Sequence, residues 1–391
     1  MRLLTLCALT LIMQTTPHKQ IVTLGPPPAA PYSPAVKAGG FIYVSGNLAM
    51  DDKGALVGKG DIGAQTRRTI ERIRQTLTAA GSSLENVVAV TVYLTTASNF
   101  QAMNDVYRTF WPTDPPTRTT VITELVVPDA LIEITMVAVP AGGERVVVHP
   151  PGWMKSPNPY SYAIKSGDTL FLSGLVARNG RDNSAVTGDV KVQTRAIMDN
   201  AAELLKTAGM TLANIVSSKV YLTDASMFAG MNEAYGQAFP QGPPTRATVK
   251  SGLAGPGFVV EITFVASNAR REPIGAPPGG VPLSPAIKSG QRVYVSGTLG
   301  NTPETAGDVS AQTRETLARM KKTLESAGAS PADVVESLVY ITDTKFFSAM
   351  NDQYRAFFGK DFPARTTVAT PLIAPDGLVE IMMTAVLPSK P

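Results

Sequence analysis

The chain has a single cysteine, Cys7, among its 391 residues. One thiol forms no internal disulfide, and the body of the chain has no Cys-based zinc site and no Cys nucleophile. Histidine is almost as scarce: His18 and His149 are the only two, and both lie outside the motifs that recur along the sequence. A His-based metal site and a Ser-His triad are therefore not expected. Charge is thin as well. Asp, Glu, Lys and Arg make up 17% of residues, the net charge is +4, and no basic run or aromatic-basic stripe occurs. Charge alone makes a weak case for nucleic acid, and the mild positive balance equally suits small anionic substrates. No apolar stretch is long enough to span a bilayer. The run at residues 3–13, behind Met1-Arg2, reads like the apolar centre of a secretory leader over residues 1–17, yet residues 14–17 offer no small-residue cleavage site. Cleavage there would make the protein periplasmic or secreted; otherwise it is cytoplasmic.

A hydrophobic content of 44% is ordinary for a globular protein, and the length suits two to four domains. Internal repetition decides the number. Gln65-Thr66-Arg67 returns as Gln193-Thr194-Arg195 and Gln312-Thr313-Arg314. Val92-Tyr93-Leu94-Thr95 returns as Val220-Tyr221-Leu222-Thr223 and Val339-Tyr340-Ile341-Thr342. A repeat of roughly 120 residues is the size of a domain and too long for a solenoid unit. Three tandem domains are expected, at residues 18–141, 143–268 and 270–391. The Pro- and Gly-containing stretches 140–143 and 267–280 read as the linkers between them.

Within the first copy, residues 41–45 are strand-like and end at Gly46. Residues 61–80 place Ile62, Thr66, Ile70, Ile73 and Leu77 on one helical stripe, with Gly81 as the stop. Residues 87–94 carry no charge and read as a central strand. Residues 100–111 form a second helix with Phe100, Met103, Tyr107 and Phe110 on one face. Strands at 119–124 and 131–139 close the unit. The pattern ββαβαββ predicts an α+β fold with two helices on one face of a mixed sheet. The other face, rich in Val, Ile and Leu, would then be bare. Three copies can cover these faces mutually by packing as an intramolecular pseudo-trimer, in place of a symmetric homotrimer.

Four features recur in every copy. A strand ends in Ser-Gly at Ser45-Gly46, Ser173-Gly174 and Ser296-Gly297. An Asn sits in the second helix at Asn104, Asn232 and Asn351. An Arg follows Pro by two residues and precedes Thr by two, giving Arg118-Thr120, Arg246-Thr248 and Arg365-Thr367. A Glu interrupts the last apolar strand at Glu133, Glu261 and Glu380. Alternation alone reads this Glu as a solvated strand position. The recurrence of an Arg fifteen residues before it (133 − 118, 261 − 246, 380 − 365) points instead to a partnered carboxylate. Such a pair is either a structural salt bridge or a fork for a substrate carboxylate beside a carboxyl able to move a proton. Taken alone, Ser-Gly reads as a strand-ending turn, and the Asn as a tie between helix and loop.

Together these segments make the chain resemble the RidA/YjgF family, also called the endoribonuclease L-PSP family, with all three copies covered. The resemblance implies a chorismate-mutase-like α+β fold, trimers with a ligand cleft between neighbouring subunits, and enamine or imine deaminase activity on reactive 2-imino acids without metal or cofactor. It implies that Arg118, Arg246 and Arg365 hold the substrate carboxylate and that Glu133, Glu261 and Glu380 polarise the attacking water. Ser45, Ser173 and Ser296 with Gly46, Gly174 and Gly297 would line the pocket, alongside Asn104, Asn232 and Asn351. Where members often carry Cys two residues after the Arg, this chain has Thr120, Thr248 and Thr367. The family's early Tyr corresponds to Tyr32 and Tyr160, but the third copy has Leu283. The site using Leu283 is expected to be the weakest of three. The implied partner is a small 2-imino or 2-keto acid, with no nucleic acid, and the chain would act as a monomer. The alternatives are a non-catalytic carboxylate-binding or scaffold protein and, with no His pair or basic channel to support it, a ribonuclease.

Overall fold

The computed structural model describes residues 18–388; the leader-like run and Cys7 lie outside them. Each copy builds its long helix from the same local signals. The helices Ile62–Ala79, Val190–Thr207 and Val309–Ser326 start at Asp61, Asp189 and Asp308, whose carboxylates accept from backbone N–H groups in the first turn. Such a cap stabilises a helix by about 1 kcal/mol. Each helix stops before Gly81, Gly209 or Gly328, all at positive φ, where a side chain would be strained. The Gln near each helix start leaves its helix. Gln65 donates to Asp129 O at 3.0 Å and accepts from Leu131 N at 2.8 Å, and Gln193 and Gln312 do the same in their copies. That clamp anchors the start of each Glu-bearing strand.

The first sheet runs Lys19–Val22, Ala35–Ala38, Phe41–Asn47, Ile132–Ala138, Val87–Leu94 and Thr117–Ile122 in spatial order. The central strand is antiparallel to Ile132–Ala138 and parallel to Thr117–Ile122, so the sheet is mixed. The other copies repeat this order. Two boundaries differ from the sequence reading. The strand expected at 119–124 begins at Thr117 and breaks before Glu124–Leu125. The stretch 267–280 is no simple linker: Arg271–Ile274 pairs with Ala286–Ser289 as an edge strand. Pro273 concealed it, but an edge strand tolerates a missing N–H.

Side-chain alternation gives the two sheet faces different partners. Val90, Val92 and Leu94 pack with Ile70, Ile73 and Leu77 of the helix. Tyr93 points the other way and joins Tyr221 and Tyr340 in one apolar cluster drawn from all three copies. The expected bare face is thus covered by the neighbouring copies. The contacts are cyclic. Gly252–Leu253 of the second copy extends the first sheet, Glu124–Leu125 of the first extends the third, and Val249 bridges to Leu372 between the second and third. Arg292 touches all three units. From the third copy it meets Asp168 of the second at 3.1 Å and Gly39 O of the first at 2.6 Å, over the Phe41 ring. No helix among the described residues is long and apolar enough to cross a membrane.

Candidate functional site

Each recurring Arg starts from a backbone lock between two copies. The Arg118 N–H donates to Ser173 Oγ of the second copy at 2.9 Å, and that hydroxyl donates onward to Ser161 O at 2.7 Å. Arg246 with Ser296 and Ser284, and Arg365 with Ser45 and Ser33, repeat the arrangement. The serines after the early Tyr or Leu complete the lock by donating to Pro115 O, Pro243 O and Phe362 O of the preceding copy. The predicted Ser45, Ser173 and Ser296 therefore act by fixing the neighbour's Arg strand, their hydroxyls already engaged.

The guanidinium groups are buried between aromatic rings. Arg118 Cζ lies 4.8 Å from the Tyr107 ring centre, 5.7 Å from Phe100 and 5.8 Å from Tyr160. Arg246 lies over Tyr235 and Phe228, and Arg365 over Tyr354 and Phe347. Sequence reasoning placed Phe100 and Tyr107 on a core stripe and missed their second role. The available signal was that Phe and Tyr recur at these two positions in all three copies, whereas the Phe110 position becomes Ala238 in the second. Stacking orients a planar guanidinium and leaves its edge for hydrogen bonding.

The Glu beside each Arg belongs to the next copy. Arg118 faces Glu261, Arg246 faces Glu380, and Arg365 faces Glu133. The fifteen-residue spacing suggested a pair within one copy, and the structure corrects this: Glu133 takes Arg365 in place of Arg118. Nor are these glutamates solvated strand residues, being only 4–6% exposed. Burial raises each carboxyl from its ordinary 4.5 to about 8, against the opposing pull of the facing Arg. Backbone contact with Thr120 and Thr248 also moderates Glu261 and Glu380.

Glycine makes room for these carboxyls. A Cβ on Gly46, Gly174 or Gly297 would overlap Oε1 of Glu133, Glu261 or Glu380. The same atom would press on Thr366, Thr119 or Ala247 of the preceding copy, so the glycine position leaves no room for a side chain. The remaining predicted residues converge here. Asn104 is buried and donates weakly to Asn158 of the second copy at 3.4 Å. Tyr160 sits in the Arg118–Glu261 cleft and Tyr32 in the Arg365–Glu133 cleft. Leu283 stands at the equivalent chain position in the third copy, its neighbour Ser284 N–H donating to Pro244 O, two residues before Arg246, at 3.1 Å.

Three kinds of buried polar atom lack a protein partner in every cleft. They are Nη1 of Arg118, Arg246 and Arg365; Oδ1 of Asn104, Asn232 and Asn351; and Oγ1 of Thr120, Thr248 and Thr367. Buried polar groups without partners are rare and costly, about 1–3 kcal/mol each. A donor fork, two acceptors and a carboxyl with a proton equilibrium near neutrality together suit a small anion whose hydrolysis requires proton movement.

The sequence matches the family described as endoribonuclease L-PSP over residues 23–140, 153–268 and 274–387. The chain belongs to the endoribonuclease L-PSP family, also known as RidA/YjgF. Among its relatives, the 3-aminoacrylate deaminase RutC of Acinetobacter baylyi is 45% identical over 113 residues, 29% of this chain and 90% of its own length. A RutC family protein of Sulfurisphaera tokodaii is 40% identical over 113 residues, with the same coverage. A chorismatase crystal structure aligns with a TM-score of 0.51 at 18% identity, covering 77% of this chain and 93% of its own, which is a likeness of fold. Family members of single-copy length therefore match one third of this chain at a time.

The raised carboxyls have a consequence for stability. A Glu with a folded pKa near 8 and an unfolded value near 4.5 binds more protons when folded between those limits. Its contribution is complete below about pH 4.5 and is lost as pH rises through about 8. Thermal stability should thus fall from pH 5 to 8 and level off above. In a Glu133→Gln, Glu261→Gln, Glu380→Gln chain that slope should flatten; an unchanged slope in scanning calorimetry would exclude the assignment.

Proposed function

We propose that the protein is a cofactor-independent enamine/imine deaminase that hydrolyses 2-imino acids to 2-keto acids and ammonia. The reading rests on one observation: Arg Nη1, Asn Oδ1 and Thr Oγ1 are buried without partners in every copy, and each Arg faces a buried Glu carboxyl. The Arg fork takes the substrate carboxylate in two parallel hydrogen bonds. The Asn oxygen accepts from the substrate nitrogen. Water adds at C2 as the Glu carboxylate takes one of its protons, and the C=N π pair moves to nitrogen. That proton then returns to the nitrogen, the C–N bond breaks, and the carbonyl forms as the carboxylate takes the remaining hydroxyl proton and passes it to the departing ammonia. In sum, the iminium acid and water give the keto acid and ammonium. No step calls for an electron acceptor. The name of the Acinetobacter relative, a deaminase of an amino-substituted acid, supports this class of reaction.

The chain would act alone as an intramolecular trimer, with three non-identical sites. The test generates imine with an amino acid oxidase and traps it with semicarbazide; added protein should lower the trapped yield. Ligand binding without that loss would support the non-catalytic alternative. The Arg246 cleft should be the weakest, since Leu283 supplies no hydroxyl there. With Arg118 and Arg365 changed to Ala, adding Leu283→Tyr should raise the remaining activity about two- to tenfold, the worth of one hydrogen bond. No gain, or a loss, would show that the hydroxyl is dispensable.

A further inference from the structure

The three sheets line a second space, separate from the clefts. Three equivalent strand positions, Ala89, Ser217 and Glu336, each pair with the first residue or start of the parallel neighbour strand. Two residues further along stand Thr91, Lys219 and Leu338, and two beyond those stand Tyr93, Tyr221 and Tyr340. The tyrosines pack together, Tyr340 donating to Tyr221 at 3.4 Å. Next to them lies a cavity of about 110 Å³, lined among others by Thr91, Lys219, Glu336 and Met382, with Arg292 also on its wall. Arg292 is already engaged by Asp168 and Gly39. That leaves one lysine and one glutamate facing the cavity.

This charge pattern is one that a homotrimer cannot carry. In a homotrimer every residue at the axis appears three times, so a lysine there would face two more lysines. Here a single positive and a single negative head occupy positions that are Thr, Leu, Ala or Ser in the other copies. The two heads attract one another across the cavity but form no direct ion pair among the described residues. Burial lowers the Lys219 pKa and raises that of Glu336, in each case against the attraction of the other. Both side chains are half-buried, the Glu336 carboxyl also hydrogen-bonding Thr384, and separated charges drawn out of bulk water are costly unless something of opposite sign meets each of them. A cavity of about 150 Å³ takes a six-carbon ring, so this one has room for about five heavy atoms or a few waters.

We propose that the cavity binds a small zwitterion, an α-amino acid of two or three carbons, with its carboxylate toward Lys219 and its ammonium toward Glu336. Such a ligand meets both charges at once and matches the space in size. The test is calorimetric titration of glycine and alanine into the full chain. One site per chain is expected. It should persist when Arg118, Arg246 and Arg365 are all changed to Ala, and weaken at least tenfold in Lys219→Met, Glu336→Gln. Removing both charges together leaves neither one orphaned, which favours folding. Absence of binding, binding unchanged in the double variant, or binding lost only in the arginine variant would each overturn the proposal. Should the double variant not fold, crystals of the unaltered chain soaked in glycine decide: ligand density between Lys219 and Glu336 supports it, and water alone refutes it.

Discussion

Changing Arg118, Arg246 and Arg365 together to Ala is expected to lower kcat/KM for a 2-imino acid by about 10²–10³ while leaving the fold intact. Truncating one partner of a buried, hydrogen-bonded charge pair costs about 2–5 kcal/mol, and each 1.4 kcal/mol is tenfold. The guanidinium groups qualify: they are buried, stacked on Tyr107, Tyr235 and Tyr354, and keep Nη1 free of protein partners. Folding should survive because the locks to Ser173, Ser296 and Ser45 use the Arg backbone N–H, which Ala retains. Lysine in the same positions should restore little, since a point charge cannot present two parallel donors. The imine-trapping assay with circular dichroism as control measures both. A triple variant keeping more than half of the activity would remove the arginines from the site.

The second large effect is expected from the smallest change. Gly46→Ala, Gly174→Ala and Gly297→Ala each drive a methyl group into a Glu carboxyl on one side and against Thr366, Thr119 or Ala247 of the preceding copy on the other. Overpacking of this kind costs about 1–3 kcal/mol per site. Either the carboxyl rotates away from its Arg or the two copies part, and both outcomes disable the cleft. The triple variant should therefore lose activity as fully as the Glu→Gln chain and also unfold at a lower temperature, a combination that Glu→Gln at pH 7 should not show. Unaltered activity and thermal stability would show that the carboxyl moves aside at no cost to the site.

Much of this was legible in the residues. The charge-free segment at Val87–Leu94 is the central strand with those bounds, because a strand buried on both faces has no reason to carry charge. Asp61 and Gly81 mark the ends of the first helix by their capping chemistry. The threefold recurrence of Arg and Glu marked the charged side chains that meet in the clefts. What the residues could not convey was which Arg meets which Glu. Sequence distance measures separation along one copy, whereas the clefts form where the Ser-Gly strand of one copy locks onto the Arg strand of another. For the same reason Ser45, Ser173 and Ser296 looked like pocket residues. Their hydroxyls are spent on a carbonyl in their own copy and an N–H in the preceding one. The edge strand Arg271–Ile274 was hidden by Pro273, whose missing N–H faces no partner at a sheet edge.

The cross-copy pairing is the claim on which the rest depends, and one set of variants tests it directly. With Arg118 and Arg246 both changed to Ala, only the cleft of Arg365 keeps its fork. In that background Glu133→Gln, which lies in the first copy, should abolish the remaining imine hydrolysis. Glu380→Gln, which lies in the same copy as Arg365 and fifteen residues from it (380 − 365), should leave it unchanged. The reverse result, with Glu380→Gln silencing the protein and Glu133→Gln having no effect, would contradict the account.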